Sequence, residues 1–233
     1  MKKIGFIGAY DKIDLIIYVA KILTVLKESV LVIDATTNQK ARYVIPTINP
    51  ALKYITEYEG FDVAVGFSNV DEIKKYLSLE EDQDLEYDFV LIDTDNAEKF
   101  KKYQLESATK NYFVTSFDAY SLKKGLEVFT NQENAINLTK VLFSETQDKQ
   151  EDDYLNFLSL GKGIIWNEQR IYFPIENGDL SVIHENQRVA KVKFKRLSVQ
   201  YKDGLDFLTE EILENQASSG NVRKAIKRIE RGM

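Results

Sequence analysis

The stretch KKIGFIGAYDKIDLIIYVAKIL, residues 2–23, decides the fold. An apolar run from Ile4 to Ile7 leads into Gly8, and from Ile13 a helical pattern begins that carries Leu15, Val19, Ile22 and Leu26 on one face. Strand, tight turn and helix together form the geometry of a phosphate loop, in which backbone N–H groups at a helix start cradle an anion. Little of the matching chemistry is present. One glycine stands in the turn, and Asp11 occupies a place where bare backbone would meet phosphate. A carboxylate there repels a partly desolvated polyphosphate. The same carboxylate is suited to cap the following helix, its oxygens replacing the missing anion.

Outward from this stretch, short apolar runs alternate with amphipathic ones, the pattern of βαβ units. Strands are expected at 3–8, 29–34, 61–66, 87–94, 111–117 and 139–145, and helices at 13–27, 69–79, about 97–108 and 119–132. The Val/Ile/Leu runs are near-continuous rather than alternating, so the strands are covered on both faces. Right-handed crossovers then give an α/β fold, a three-layer α/β/α sandwich with a mainly parallel central sheet. Residues 146–153, TQDKQEDD, read as an exposed acidic loop. ASSG at 217–220 reads as a flexible hinge, which divides the chain into one α/β domain, 1–216, and a basic tail, 217–233.

Composition removes several classes of chemistry. The 233 residues include no cysteine and one histidine, His184, which excludes disulfides and thiolate metal sites and leaves little room for histidine catalysis or zinc. Lys2 and Lys3 precede only a short apolar run broken by Asp11, so no signal pattern is read, and a cytoplasmic location is the expectation. Net charge is −6 and uneven. Arg223, Lys224, Lys227, Arg228 and Arg231 against Glu230 make the tail locally basic, so the body is more acidic than the whole. An acidic body argues against nucleic acid as a partner, whereas a basic tail suits an acidic protein or anionic lipid.

Three aspartates close strands: Asp34, Asp93 and Asp118. Ligands of open parallel sheets bind beyond the carboxyl ends of strands, so Asp34 and Asp93 are placed to face the Gly8–Lys12 turn. One could hold magnesium through water and the other orient a hydrolytic water; equally, both could be helix caps. Asp118, directly before AYSLKKGLEVF, reads as a cap. The GKG at 161–163 lacks a following helix and is set aside.

In order and spacing, KKIGFIG, SVLVIDA, YDFVLIDT, YFVTSFDAYSLKKGLEVF, RIYFPI and YKDGLDFLTEEIL resemble the MinD/ParA family of deviant-Walker ATPases, over residues 2 to about 213. The resemblance implies a P-loop NTPase-like fold, with Asp34 matching an aspartate associated with hydrolysis, Asp93 the Walker B aspartate, and Pro174 a proline loop flanking adenine. The loop itself departs from the family. With the second loop lysine placed on Lys12, the signature lysine becomes Ile7, the magnesium-binding threonine becomes Ile13, and a glycine becomes Asp11. An isoleucine cannot coordinate a cation. Phe143-Ser144 stand where the family carries an adenine-side asparagine. What remains for a nucleotide is Gly8, Asp11, Lys12, Ile13 and Pro174, with Asp34 and Asp93 as vestiges.

The tail, NVRKAIKRIERGM, sets Val222, Ala225, Ile226, Ile229 and Met233 on one face and bases on the other. Val222, Arg223, Ile226, Lys227 and Ile229 are therefore candidates for a partner-docking helix or for weak contact with an anionic membrane. The leading expectation is a non-catalytic pseudo-ATPase, without a bound cofactor, that acts as a localisation or scaffold component of a larger assembly such as a pilus, secretion or division system, with a homodimer through the nucleotide face as one form of it. The alternatives are a slow ATPase that uses Mg-ATP through Lys12, Asp34 and Asp93, and, behind it, a DNA-partition ATPase.

Overall fold

A computed structural model describes residues 1–48, 51–80, 83–130, 134–144, 149–214 and 220–232. Among these, β1 (Lys2–Ile7), β2 (Val30–Asp34), β3 (Tyr54–Tyr58), β4 (Phe61–Val65), β5 (Phe89–Thr94), β6 (Lys110–Ser116), β7 (Ile136–Ser144) and β8 (Ile164–Pro174) form one sheet in the order β3-β4-β2-β5-β1-β6-β7-β8. All neighbours are parallel except β3 and β4. The helices are α1 (Ile13–Val25), α2 (Ala41–Val44), α3 (Val70–Tyr76), α4 (Ala97–Lys102), α5 (Ala119–Leu126), α6 (Lys149–Leu158), α7 (Asn177–Val189), α8 (Val199–Leu213) and α9 (Asn221–Glu230).

The sheet separates two apolar clusters. One joins the sheet to α1, α7, α8 and α9 through residues such as Phe6, Leu15, Val182, Leu205 and Ile226. The other joins it to α3, α4, α5 and α6 through Ile7, Ile73, Phe100, Leu122 and Leu155. The expected three-layer sandwich is the observed one, and its physical basis is the fully buried VLVID and FVLIDT strands at the centre.

The differences are local. The acidic stretch after β7 is not a loop throughout: α6 starts at Lys149, and Asp152 in its first turn is buried because it pairs with Lys140 of β7. Residues 146–148 lie outside the described ones, as do 217–219 of the expected hinge and Met233 of the tail face. The helix expected at 97–108 is α4 followed by a 3-10 turn at Leu105–Ser107, and that at 119–132 is α5 with a 3-10 turn at Glu127–Phe129.

The tail is corrected most. Val222, Ala225, Ile226 and Ile229 are at most 7% exposed and belong to the α1/α8 cluster. Arg223 extends from α9 to pair with Asp206 of α8, and Lys202 of α8 with Glu230. The apolar face that would have met a membrane or a partner is occupied within the chain, because the core-facing sides of α1 and α8 offer it an apolar seat. Arg223, Lys224, Lys227 and Arg228 remain at the surface.

Candidate functional site

The parallel register sets Asp34 of β2 directly beside Asp93 of β5, and β1 ends on the far side of β5 at the turn Gly8–Lys12. Gly8 is required there. Its φ is +142°, and a Cβ would stand 2.2 Å from the Val114 carbonyl of β6. The turn is pinned by Gly8 N–H donating to the Thr94 carbonyl at 3.1 Å.

Lys12 faces inward. It is 2% exposed, its Nζ donates to the Gly8 carbonyl at 2.8 Å, and it lies 2.7 Å from Asp93 Oδ1. Asp93 is as deeply buried. Burial raises its carboxyl to about 7, with Lys12 acting to lower it and Asp34 to raise it. Asp93 is therefore an ion-pair partner and not a helix cap. Asp34 does act as a local cap: Oδ1 accepts from Thr36 N–H and Oγ1, and Oδ2 from Ala41 N–H at the start of α2. Burial raises the Asp34 carboxyl, and these hydrogen bonds oppose the shift. Asp118 caps α5, accepting from Ser121 N–H at 2.9 Å.

Asp11 does not cap α1. The cap position is Lys12, with no side-chain bond to the helix start, and Asp11 is exposed and paired instead with Lys40 at 2.5 Å. Lys40 also holds Asp14 at 2.9 Å, so a lysine just before α2 draws the acidic side chain away from the helix N–H groups. Sequence reading did not find Lys40, because nothing local in the sequence signals a contact across 29 residues. Ile13 is 1% exposed and packs into the core.

Around this turn lies a cleft of about 280 Å³ with Gly8, Asp11, Lys12, Ile13, Thr36 and Asp93 in its walls. A larger groove of about 570 Å³ runs along β8 and α8, where Ser144 and Pro174 stand. The two share no lining residue. Between them stands a stack of three rings: Tyr10 of the turn lies 4.7 Å from Phe143, and Phe143 lies 5.2 Å from Phe173, at interplanar angles of 29° and 19°. Tyr10 lines the cleft and Phe173 the groove, so the stack walls the phosphate-loop side off from the side where Pro174 stands.

A second buried charge group, also unforeseen, joins β7, α6 and β8. Lys140 Nζ lies 2.6 Å from Asp152 and 2.5 Å from Asn156, with the Trp166 ring 4.9 Å away, and Arg170 pairs with the other Asp152 oxygen at 2.9 Å. Burial lowers the Lys140 ammonium, and Asp152 opposes that shift.

No protein-family model and no curated protein matches the chain. Solved structures do. MinD cell division protein of Aquifex aeolicus is similar at 12% identity with a TM-score of 0.56, over 94% of this chain and 98% of that one. A ParA family ATPase from Chlorobium tepidum is similar at 12% identity and TM-score 0.51, over 98% and 97%. A chain of the MinC:MinD cell division protein complex, also from Aquifex aeolicus, gives 13% and 0.53, over 94% and 97%. At these identities the likeness is one of fold: the chain has the MinD/ParA-like fold of P-loop NTPases, spanning nearly the whole length of those proteins.

Proposed function

We propose that this protein is a non-hydrolysing member of that fold, which works by holding protein partners in a larger assembly at the cytoplasmic side of the cell. The observation that carries the reading is Lys12. Its ammonium is buried against Asp93 and the Gly8 carbonyl, beside an Ile13 that is 1% exposed.

A magnesium-bound triphosphate does not fit these residues. Ile13 offers no oxygen to the cation. Binding would have to draw Lys12 away from Asp93 and the Gly8 carbonyl, leaving a buried carboxyl that must take up a proton or stay uncompensated. Lys40, which lines the cleft, pairs with Asp11 but also with Asp14, so the two carboxylates share one cation there, and the Tyr10–Phe143–Phe173 stack separates the cleft from the Pro174 groove. The acidic body favours protein over nucleic acid as the partner, and with the apolar face of α9 buried, contact with a membrane surface would rest on the outer bases alone.

The test is thermal unfolding with and without Mg-ATP. A ligand that binds the native state must raise the midpoint; none is expected at millimolar nucleotide. A rise of several degrees that disappears in Lys12→Ala would overturn the reading and favour a slow ATPase.

A further inference from the structure

At the end of the sheet opposite the cleft, where β6 and β7 begin at Lys110 and Ile136, lies a pocket of about 270 Å³ whose side chains are almost all polar. Two features of the fold place them there. Asn167–Gln169 of β8 stand opposite the single residue Thr139 of β7, and at this break in the ladder Asn167 sends its amide to Thr139 Oγ1 at 2.8 Å. α8 brings Glu211 onto Lys110 and Thr139, with its side chain 11% exposed. The hydrogen bonds here leave a one-sided remainder. Donors are engaged: Lys110 Nζ with the Glu211 carbonyl at 2.8 Å, Asn111 Nδ2 with the Leu105 carbonyl at 2.7 Å, and Asn167 Nδ2 with Thr139. Acceptors are not. Glu211 Oε1 receives only long contacts of 3.4 Å from Lys110 and Thr139, and its buried Oε2 has no hydrogen-bond partner among the described residues. The Tyr112 hydroxyl, held protonated by burial and by this carboxylate, stands near it without a hydrogen bond of good geometry. Asn111 Oδ1 is unpartnered too, but it lies against Gly5, where a Cβ would stand 2.1 Å from it, so Glu211 is the group a ligand would meet. A buried carboxylate with so little compensation is costly.

We propose that this pocket binds a small organic cation whose ammonium group donates to the Glu211 carboxylate. Charge and hydrogen bonding select that class together. Glu106 and Glu211 stand in the walls against Lys110 alone, and Lys110 is shared with Glu214 at 3.8 Å. The groups left over are acceptors, so the ligand must bring the donors, and an ammonium brings them with the charge that strengthens each bond. A carboxylate or phosphate would meet Glu211 as a like charge. A bare metal ion does not fit, because no group of three or more carboxylate or imidazole side chains converges among the described residues. The pocket shares no wall residue with the phosphate-loop cleft, so the proposal does not rest on the state of Lys12.

The probe is putrescine, a linear diamine, titrated calorimetrically into the full chain at neutral pH and physiological ionic strength. One saturable site per chain is expected, and butane-1,4-diol, a neutral molecule of the same length, should give no measurable binding. An acidic chain attracts any amine, so two variants identify the site. Glu211→Gln removes the recognising charge and is expected to weaken binding at least tenfold. Asn137→Lys, at an exposed position in the pocket wall, tethers an ammonium at the mouth and is expected to weaken binding to a similar degree, with the circular dichroism spectrum and melting point of the parent. Amide shifts on adding putrescine should centre on residues 109–111 and 135–139. A chain that shows no saturable binding overturns the proposal, water alone then filling the pocket. Binding that both variants leave unchanged also overturns it, because the amine is then held by the acidic surface at large. So does butane-1,4-diol binding as tightly as putrescine, because charge is then not what the pocket reads.

Discussion

Replacing Asp93 by asparagine tests the reading of the buried pair through pH. Asp93 and Lys12 are each about 2% exposed, and the enclosure raises the Asp93 carboxyl from 3.8 to about 7 despite the neighbouring ammonium. The folded chain therefore holds this proton more tightly than the unfolded chain does. Stability supplied by the protonated acid is complete below about pH 4 and is lost as pH rises toward 7. Each pH unit in that window is worth about 1.4 kcal/mol, so between pH 5 and 7 the wild type should lose about 2–3 kcal/mol relative to Asp93→Asn, which has no proton to release. Urea unfolding of both proteins at half-unit steps from pH 5 to 8 measures the gap, and contributions from titrating groups remote from Asp93 cancel in the difference. A gap that stays flat, or one in which the wild type gains as pH rises, would refute the reasoning. The latter is the behaviour of a carboxylate that its lysine holds below the ordinary range.

Lys140→Met leaves Arg170 as the remaining charged partner of buried Asp152 and should cost about 3 kcal/mol in chemical denaturation, the low end for a broken buried pair, with part of the loss regained in Lys140→Met/Asp152→Leu because the under-compensated carboxylate is removed too. Gly8→Ala forces a Cβ to 2.2 Å from the Val114 carbonyl at positive φ and should lower stability by more than about 2 kcal/mol, read as a fall in the melting point. Ile226→Asp puts an unpaired carboxylate into the α1/α8 seat. A loss of about 3 kcal/mol and faster amide exchange over residues 221–230 are expected, and an unchanged melting point would show that the helix is not seated as described.

The architecture was legible where the sequence is locally emphatic. VLVID and FVLIDT are continuous apolar runs, and only a doubly covered parallel strand accommodates them. The hairpin of β3 and β4 was not read, because YITEY is short and half-polar and its two-residue turn is Glu59-Gly60 rather than the usual Asn-Gly; both residues take positive φ, 53° and 94°. At the site, the losses at Ile7, Asp11 and Ile13 stand in the sequence itself. What the side chains do instead does not. Asp11 pairs with Lys40, Lys12 turns in toward Asp93, and Tyr10 meets Phe143 across 133 residues; each contact is made by tertiary placement that no local period records. The buried pair of Lys140 and Asp152 was hidden for the same reason, since an acidic run ordinarily marks solvent and here one of its members is drawn under the sheet edge.

The seat of α9 has a consequence for how the chain is made. α1 is complete by residue 25, yet one side of it is closed by Val222, Ala225, Ile226 and Ile229, about two hundred residues later. Synthesis therefore runs through every strand of the sheet while that flank of the first helix is still open. The ordering of the layer waits on a contact between α1 and α9, a loop closure of about two hundred residues. Until residue 229 has emerged, the apolar side of α1 is the surface a chaperone would meet.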